Sequence, residues 1–232
     1  MLSILYEDED LIAINKPHGL LVHRSPIARE VRYAAVQQLR DQIGQRVYPV
    51  HRLDRKTGGV LLFSKNPANN GLLQSLFMEG RVKKTYQAIA RGYVPESGLI
   101  DYALRYEDKM QEARTHFQCL QTFELPLPFN GQPTSRYSLV ELQPTTGRFH
   151  QLRKHLAHIY HPIIGDRPHG CNKQNRLWKE HFKLPTMFLH GTTLQFELPD
   201  KRNIRIEAPF QEEFRAALHL LQAQSLDNSA SF

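Results

Sequence analysis

The chain has 232 residues, enough for one large domain or two small ones, and its 41% hydrophobic content is sufficient to build a core. A formal net charge of +7 favours an acidic partner, of which nucleic acid is the commonest. Only Cys119 and Cys171 are present, which excludes a disulfide framework or a cysteine metal cluster and suits a reducing cytoplasm; acids at Glu7 to Asp10 stand where a signal peptide needs lysine or arginine, and no apolar run reaches the length of a membrane span.

Residues 2–6 and 11–15 are short apolar runs split by an acidic turn, which predicts a hairpin. Lys16-Pro17-His18-Gly19 ends it, and 20–23 reads as extended. Residues 31–43 place Val31, Ala34, Ala35, Leu39 and Ile43 at helical spacing, with Gly44 as the stop. The run 60–63 reads as a buried strand. Asn66-Pro67 starts a helix, with Asn66 as cap and Pro67 in the first turn; Leu72, Leu73, Leu76 and Phe77 give its apolar face and Gly80 its end. Strands follow at 85–90, 116–123, 137–142, 193–198 and 203–206. Helices follow at 149–159 and 211–222. Residues 125–133, with Pro126, Pro128, Gly131 and Pro133, form a loop. Strands and helices intermingle without a βαβ repeat, and no phosphate-binding glycine fingerprint occurs. The fold class is therefore α+β: a single catalytic domain over residues 1–225, built on a mixed, largely antiparallel sheet flanked by helices and loops, with a polar tail at 226–232.

Four segments carry chemistry. In His51-Arg52-Leu53-Asp54-Arg55-Lys56-Thr57-Gly58-Gly59, one carboxylate stands at the mouth of a core strand with cations on both sides, which favour its charged form. Asp54 is then a nucleophile, a base or a ligand-orienting group, against the plainer reading of a loop ion pair. In the segment 147–157, Leu152, Leu156 and Ile159 form an apolar stripe while His150, Arg153 and Ala157 share another face, either a solvated basic face or one that meets a carboxylate. Zinc is disfavoured there, because His150, His155, His158 and His161 lack both metalloprotease spacing and a neighbouring acid. Tyr86, preceded by Lys83 and Lys84, is an ordinary strand aromatic or a platform for a nucleobase. His190, before Gly191, reads as a core histidine with a satisfied hydrogen bond.

Together these segments resemble the pseudouridine synthases of the ribosomal large-subunit synthase A type. The likeness runs from Asn15-Lys16-Pro17 to about Pro209. It rests on Lys16 to His23, on His51 to Gly59 with Gly58 where serine is usual, on Lys84-Thr85-Tyr86, on Gly147 to Leu156 and on Pro162 to Asp166. Tyr160 stands where glycine is usual, and His169 where tyrosine is. Val22 to Ser25, Arg40 to Gln45 and 158–166 resemble most the members that act on uridine 65, in the acceptor and T-stem region of tRNA.

The resemblance implies the pseudouridine synthase fold and the isomerisation of uridine to pseudouridine in RNA, a reaction with no redox change and hence no cofactor. It implies Asp54 as nucleophile, Arg153 as the cation beside it and Tyr86 as the residue that packs on the target base and assists proton removal. Arg52 would fill the space left by the flipped base, and His51, Thr57, Lys84, Arg148, His150 and Gln151 would line the RNA site. The partner would be tRNA, with ribosomal RNA as the alternative; no metal and no membrane are expected, and the protein would be a cytoplasmic monomer. Residues 24–32 and 125–133 are candidates for reading the RNA. A non-catalytic RNA-binding protein and a metal-dependent hydrolase are the readings from other classes.

Overall fold

A computed structural model describes residues 1–23 and 33–226. The candidate RNA-reading stretch 24–32, which holds the start of the first expected helix, and residues 227–232 of the expected tail lie outside the described residues. In chain order the elements are β1 (Ser3–Glu7), β2 (Leu11–Lys16), α1 (Ala35–Ile43), β3 (Tyr48–Pro49), β4 (Gly58–Ser64), α2 (Pro67–Met78), β5 (Lys83–Arg91), β6 (Ser97–Asp101), β7 (Leu104–Tyr106), β8 (Lys109–Gln111), β9 (Arg114–Leu125), β10 (Ser135–Pro144), α3 (Gln151–His158), α4 (Asn172–His181), β11 (Leu189–Glu197), β12 (Asn203–Glu207) and α5 (Glu212–Gln224). The class is the expected one, α+β on a mixed and mostly antiparallel sheet. No helix among the described residues is long and apolar enough to cross a membrane.

The chain divides into two compact units, with the division inside β5. The first comprises Met1–Tyr86 and His190–Phe210. Its strands run in the order β1-β2-β4-β11, with β12 on β11 and β3 on β4. The expected hairpin of β1 and β2 is present, and Asp8 Oδ1 turns it by accepting from the amides of Asp10 (2.9 Å) and Leu11 (2.7 Å). β4 is buried along its whole length because both faces are covered. Val60 and Leu62 point into one apolar cluster with Leu73 and Leu76 of α2. Leu61 and Phe63 point into the other with Ala35 and Leu39 of α1. β2 splits its side chains the same way, Leu11 and Ala13 against Ile12 and Ile14.

α2 begins as expected, with Asn66 Oδ1 accepting from the Ala68 amide at 3.0 Å and Pro67 in the first turn. α1 ends at Gly44, in the left-handed region at φ 69°. Residues 20–23 form no strand; the carbonyls of Leu21 and Val22 instead accept from the amides of Ala35 (2.8 Å) and Val36 (3.1 Å), closing the open start of α1.

β11 runs parallel to β4 through His190↔Gly58 and Gly191↔Gly59. The approach there is very close. Gly59 has φ +113°, and a Cβ on it would lie 2.1 Å from the Gly191 carbonyl oxygen.

The second unit comprises Gln87–Leu189 and the chain from Gln211 onward. β9 pairs antiparallel with β10 on one side and β6 on the other, with a register shift at Leu139/Val140. Trp178 of α4 is its buried hub, in ring contact with Tyr137 (5.3 Å), Phe182 (5.2 Å) and Phe188 (5.1 Å). Phe188 meets Phe214 of α5 at 5.9 Å. The end of α5 is tied to β9, since the Leu226 amide donates to the Glu124 carbonyl at 2.7 Å and Ser225 Oγ accepts from the Glu124 amide at 3.1 Å.

Glycine at 59 is a requirement of the β4–β11 pairing, because any larger residue meets backbone rather than a yielding side chain. Gly59→Ala is expected to lower stability by about 3 kcal/mol or more. A urea titration of the two proteins followed by circular dichroism checks it, and equal midpoints would refute the close approach.

Candidate active site

Asp54 lies on a turn closed by the Thr57 amide, which donates to the Asp54 carbonyl at 3.0 Å. Leu53 before it and Thr57 after it are buried, while Arg52 and Arg55 are exposed and Asp54 is half-buried. Two buried anchors thus hold a short arc that presents the carboxylate. A second segment clamps the arc from below. The Gly19 amide donates to the Arg55 carbonyl at 2.8 Å, and Arg55 Nε returns to the Gly19 carbonyl at 3.0 Å.

Beneath both lies Lys16, fully buried. Its Nζ donates to the carbonyls of Leu20 (2.8 Å), Pro17 (3.0 Å) and Arg55 (3.3 Å). Burial pulls its pKa down to about 7, and the negative charge of Asp54 opposes that pull. The sequence shows Lys16 only as the first residue of a motif. A lysine reads as a surface group, so its interior role gave no signal of its own.

Tyr86 is half-buried on β5 and packs against the cluster that holds Leu53. A Cβ on Gly191 would lie 3.2 Å from its ring, so the glycine makes room for the aromatic. Burial, and after it the charge of Asp54, push the phenol pKa up, so Tyr86 keeps its proton at neutral pH. Lys84, two residues earlier on β5, is buried, and burial lowers its pKa.

His51 is engaged inside the unit: its ring stacks on Phe77 at 4.7 Å, and its Nε2 accepts from the Leu62 amide at 3.1 Å. Burial brings its pKa down to about 4, so it is a neutral imidazole. The first unit therefore gathers Asp54, Tyr86, Lys84, His51 and Thr57, with Arg52 on its surface. His190 is buried, as the sequence suggests, but among the described residues its Nε2 finds no hydrogen-bond partner; the ring is edge-on to Phe210 at 5.4 Å, and burial brings its pKa to about 4.

The other candidates lie in the second unit. α3 starts at Gln151, two residues later than the periodicity predicts, because His150 takes a left-handed conformation at φ 56°. Arg153 is buried and forms a fork with Asp166: Nε to Oδ2 and Nη2 to Oδ1, each 2.7 Å. Asp166 is buried too, so the pair fixes the guanidinium plane with charge-assisted bonds. The sequence contains Asp166 in a recognisable stretch, but nothing along the chain marks it as the partner of a residue thirteen positions earlier.

Gln151 is also interior. Its Oε1 accepts from Thr146 Oγ1 (2.7 Å) and the Arg148 amide (2.9 Å), and its Nε2 donates to the Arg114 carbonyl and Thr115 Oγ1, both at 3.0 Å. This network locks the turn before α3. Arg148 is exposed, with Nε on the Glu112 carbonyl at 3.0 Å. His150 stacks on Phe149 and its Nδ1 lies 2.9 Å from His169 Nε2.

The remaining histidines are spread out: His155 sits between Thr115 and the Tyr102 carbonyl, His158 stacks on Tyr102, and His161 Nδ1 faces the Arg91 carbonyl. Among the described residues no group of three His, Cys, Asp or Glu is placed to hold a metal ion.

The family model described as RNA pseudouridylate synthase matches residues 10–158, which include Asp54, Tyr86 and Arg153. The chain belongs to this family. It is 45% identical over 211 residues to tRNA pseudouridine synthase C of Vibrio vulnificus (strain CMCP6), covering 86% of each chain. It is 47% identical over 211 residues to the protein of the same name from Pectobacterium carotovorum subsp. carotovorum, covering 86% of this chain and 56% of that relative's length. Among solved structures, human RNA pseudouridylate synthase domain containing 4 matches with a TM-score of 0.70 at 27% identity, covering 95% of this chain and 93% of that one. The family's reaction is an isomerisation in RNA: the uracil leaves the sugar through nitrogen and returns through carbon, with no change of composition.

Two outcomes follow from the buried ions of this synthase. Lys16→Met removes a buried donor from the carbonyls of Leu20, Pro17 and Arg55 and is expected to destabilise the protein by about 2–4 kcal/mol at pH 7. The pH dependence has a definite sign. Between pH 7 and the ordinary lysine value near 10.5, the unfolded chain holds the proton and the folded one does not, so folding grows more favourable as pH rises. The stability gap between wild type and Lys16→Met should therefore widen from pH 7 towards pH 10, and denaturant titrations at both pH values read it directly. Asp166→Ala leaves a buried guanidinium without its carboxylate and is expected to cost about 3–5 kcal/mol, seen as a lowered unfolding midpoint.

Proposed function

We propose that the protein converts uridine 65 of tRNA to pseudouridine, with Asp54 as the nucleophile. The observation that carries the reading is the carboxylate of Asp54 on a turn fixed by Thr57, Gly19 and Lys16, within electrostatic range of a tyrosine that keeps its proton. A group that must meet one carbon of a flipped nucleotide gains from such rigidity, because positioning supplies much of the rate. The relatives named tRNA pseudouridine synthase C support tRNA as the RNA, and the excess positive charge supports phosphate contacts.

In this reading the target nucleotide leaves its stack, at a cost of about a few kcal/mol, and its base packs on Tyr86. Exposed Arg52 occupies the vacated space. Asp54 acts on the sugar side of the glycosidic bond, uracil is released, rotates, and rejoins through C5; the C5 proton is lost and N1 ends protonated, so atoms balance. Tyr86 serves as a neutral phenol in this scheme, a platform and a proton holder, because its raised pKa opposes a phenolate base. Arg153 is the proposed cation for Asp54, with its fork oriented by Asp166.

Incubation of wild type and Asp54→Ala with unmodified tRNA transcripts, followed by pseudouridine mapping through chemical reverse-transcription stops, tests this. Wild type should give a stop at uridine 65, and the variant should lose at least about a thousandfold in rate while retaining tRNA binding. A stop at another tRNA position would remove the target assignment. A stop in ribosomal RNA alone would move the substrate to the ribosome, and an active Asp54→Ala would remove the nucleophile.

A further inference from the structure

Helix α3 closes on a tyrosine where its geometry calls for glycine. The Tyr160 amide donates to the Ala157 carbonyl at 3.0 Å and the His161 amide to the Leu156 carbonyl at 2.9 Å. These are the paired bonds of a Schellman motif, and Tyr160 holds its left-handed position at φ 66°. A residue with a Cβ is strained there, and Gly44 and Gly80 take the left-handed positions that follow α1 and α2. α4 is followed by Lys183, also left-handed, but Lys183 Nζ bonds the Glu180 carbonyl of its own helix.

Tyr160 receives no such return. Its side chain is 88% exposed, and among the described residues it makes no ring contact and no side-chain hydrogen bond. A strained, exposed aromatic that nothing in the fold compensates points to a partner outside the fold.

The surroundings say which kind. Tyr160 rims a cleft of about 480 Å³, within the roughly 300–1,000 Å³ typical of ligand sites. Arg91, His161 and His169 line it, and no aspartate or glutamate does. Arg91 and Gly92 also line an adjoining cleft, where Arg136 already meets the Glu124 carboxylate at 3.3 Å. An aromatic face beside Arg91, in a cleft that no carboxylate lines, suits a base and its phosphate.

We propose that Tyr160 is a stacking platform for an unpaired RNA base, with Arg91 at the adjoining phosphate, forming an RNA subsite in the second unit. As a subsite for tRNA it rests on the function proposed above.

The test compares wild type, Tyr160→Gly and Tyr160→Phe in two measurements: the urea midpoint, and equilibrium binding of an unmodified tRNA transcript and of a short single-stranded oligouridylate by fluorescence anisotropy. Tyr160→Gly should unfold at a higher urea concentration than wild type, because the strain is gone, and yet bind both RNAs roughly 5- to 100-fold more weakly, the worth of one base stack. Tyr160→Phe keeps the ring and should stay within about twofold of wild type for both. A gain in stability with unchanged RNA affinity would overturn the proposal, as would an equal loss of affinity in Tyr160→Phe. The oligouridylate separates this idea from the substrate assignment: weaker oligouridylate binding by Tyr160→Gly upholds the platform even where no tRNA is isomerised.

Discussion

The presentation of Asp54 depends on a lysine that water does not reach. Lys16 is the last residue of β2, and its Nζ gathers three carbonyls, two from the stretch that follows it and one from the turn that carries Asp54. Carbonyls of irregular chain cannot be buried without donors. A glycine-containing loop and the turn that bears Asp54 press against the core together, and the protonated Lys16 side chain gives each of three carbonyls a donor, the Arg55 carbonyl accepting from the Gly19 amide as well. The same amine brings a charge towards Asp54, but burial holds its pKa near 7, so at neutral pH its contribution is as much hydrogen bonding as charge. The opening motif is therefore the floor of the Asp54 turn, with its lysine turned away from solvent.

The second constraint is the contact of two glycine backbones. β4 and β11 approach so closely that a Cβ at Gly59 would collide with backbone, while one at Gly191 would press on the Tyr86 ring at 3.2 Å. This links two parts of the site that are distant in sequence. β4 continues directly from the turn bearing Asp54, and Gly191 sets how far the ring of Tyr86 can settle. Gly58 is the neighbour at which a serine is usual, and the left-handed requirement falls on Gly59 instead. The departure at 58 thus spares the position that backbone geometry makes strict.

What could be read along the chain was what local rules decide. Strand β4 announces itself by an unbroken apolar run, α2 by Asn66-Pro67, α1 by the glycine at its end, and the first hairpin by Asp8. Helix α4 was not legible, because its buried residues are a glutamine and a tryptophan on an otherwise polar helix, with no apolar stripe to betray them. The short strands β6, β7 and β8 were missed for a similar reason, since most of their side chains are exposed and give no alternation. Among the candidate residues, Asp54, Tyr86 and Arg153 stand out by residue type and motif. The burial of Lys16, the pairing of Arg153 with Asp166 and the internal saturation of Gln151 do not, because each depends on residues that only the fold brings together.

Burial also separates the basic groups into two sets. Lys16, Lys84 and His51 lie inside the first unit, and burial pushes the pKa of every one of them downward. Their positive charge is costly where they sit, so their value lies in hydrogen bonds and packing. Arg52, Arg55 and Arg148 are exposed instead. Added salt should consequently weaken RNA binding through the exposed arginines while leaving the Asp54 turn intact, because screening acts on charges in solvent and scarcely touches a buried amine held by three carbonyls.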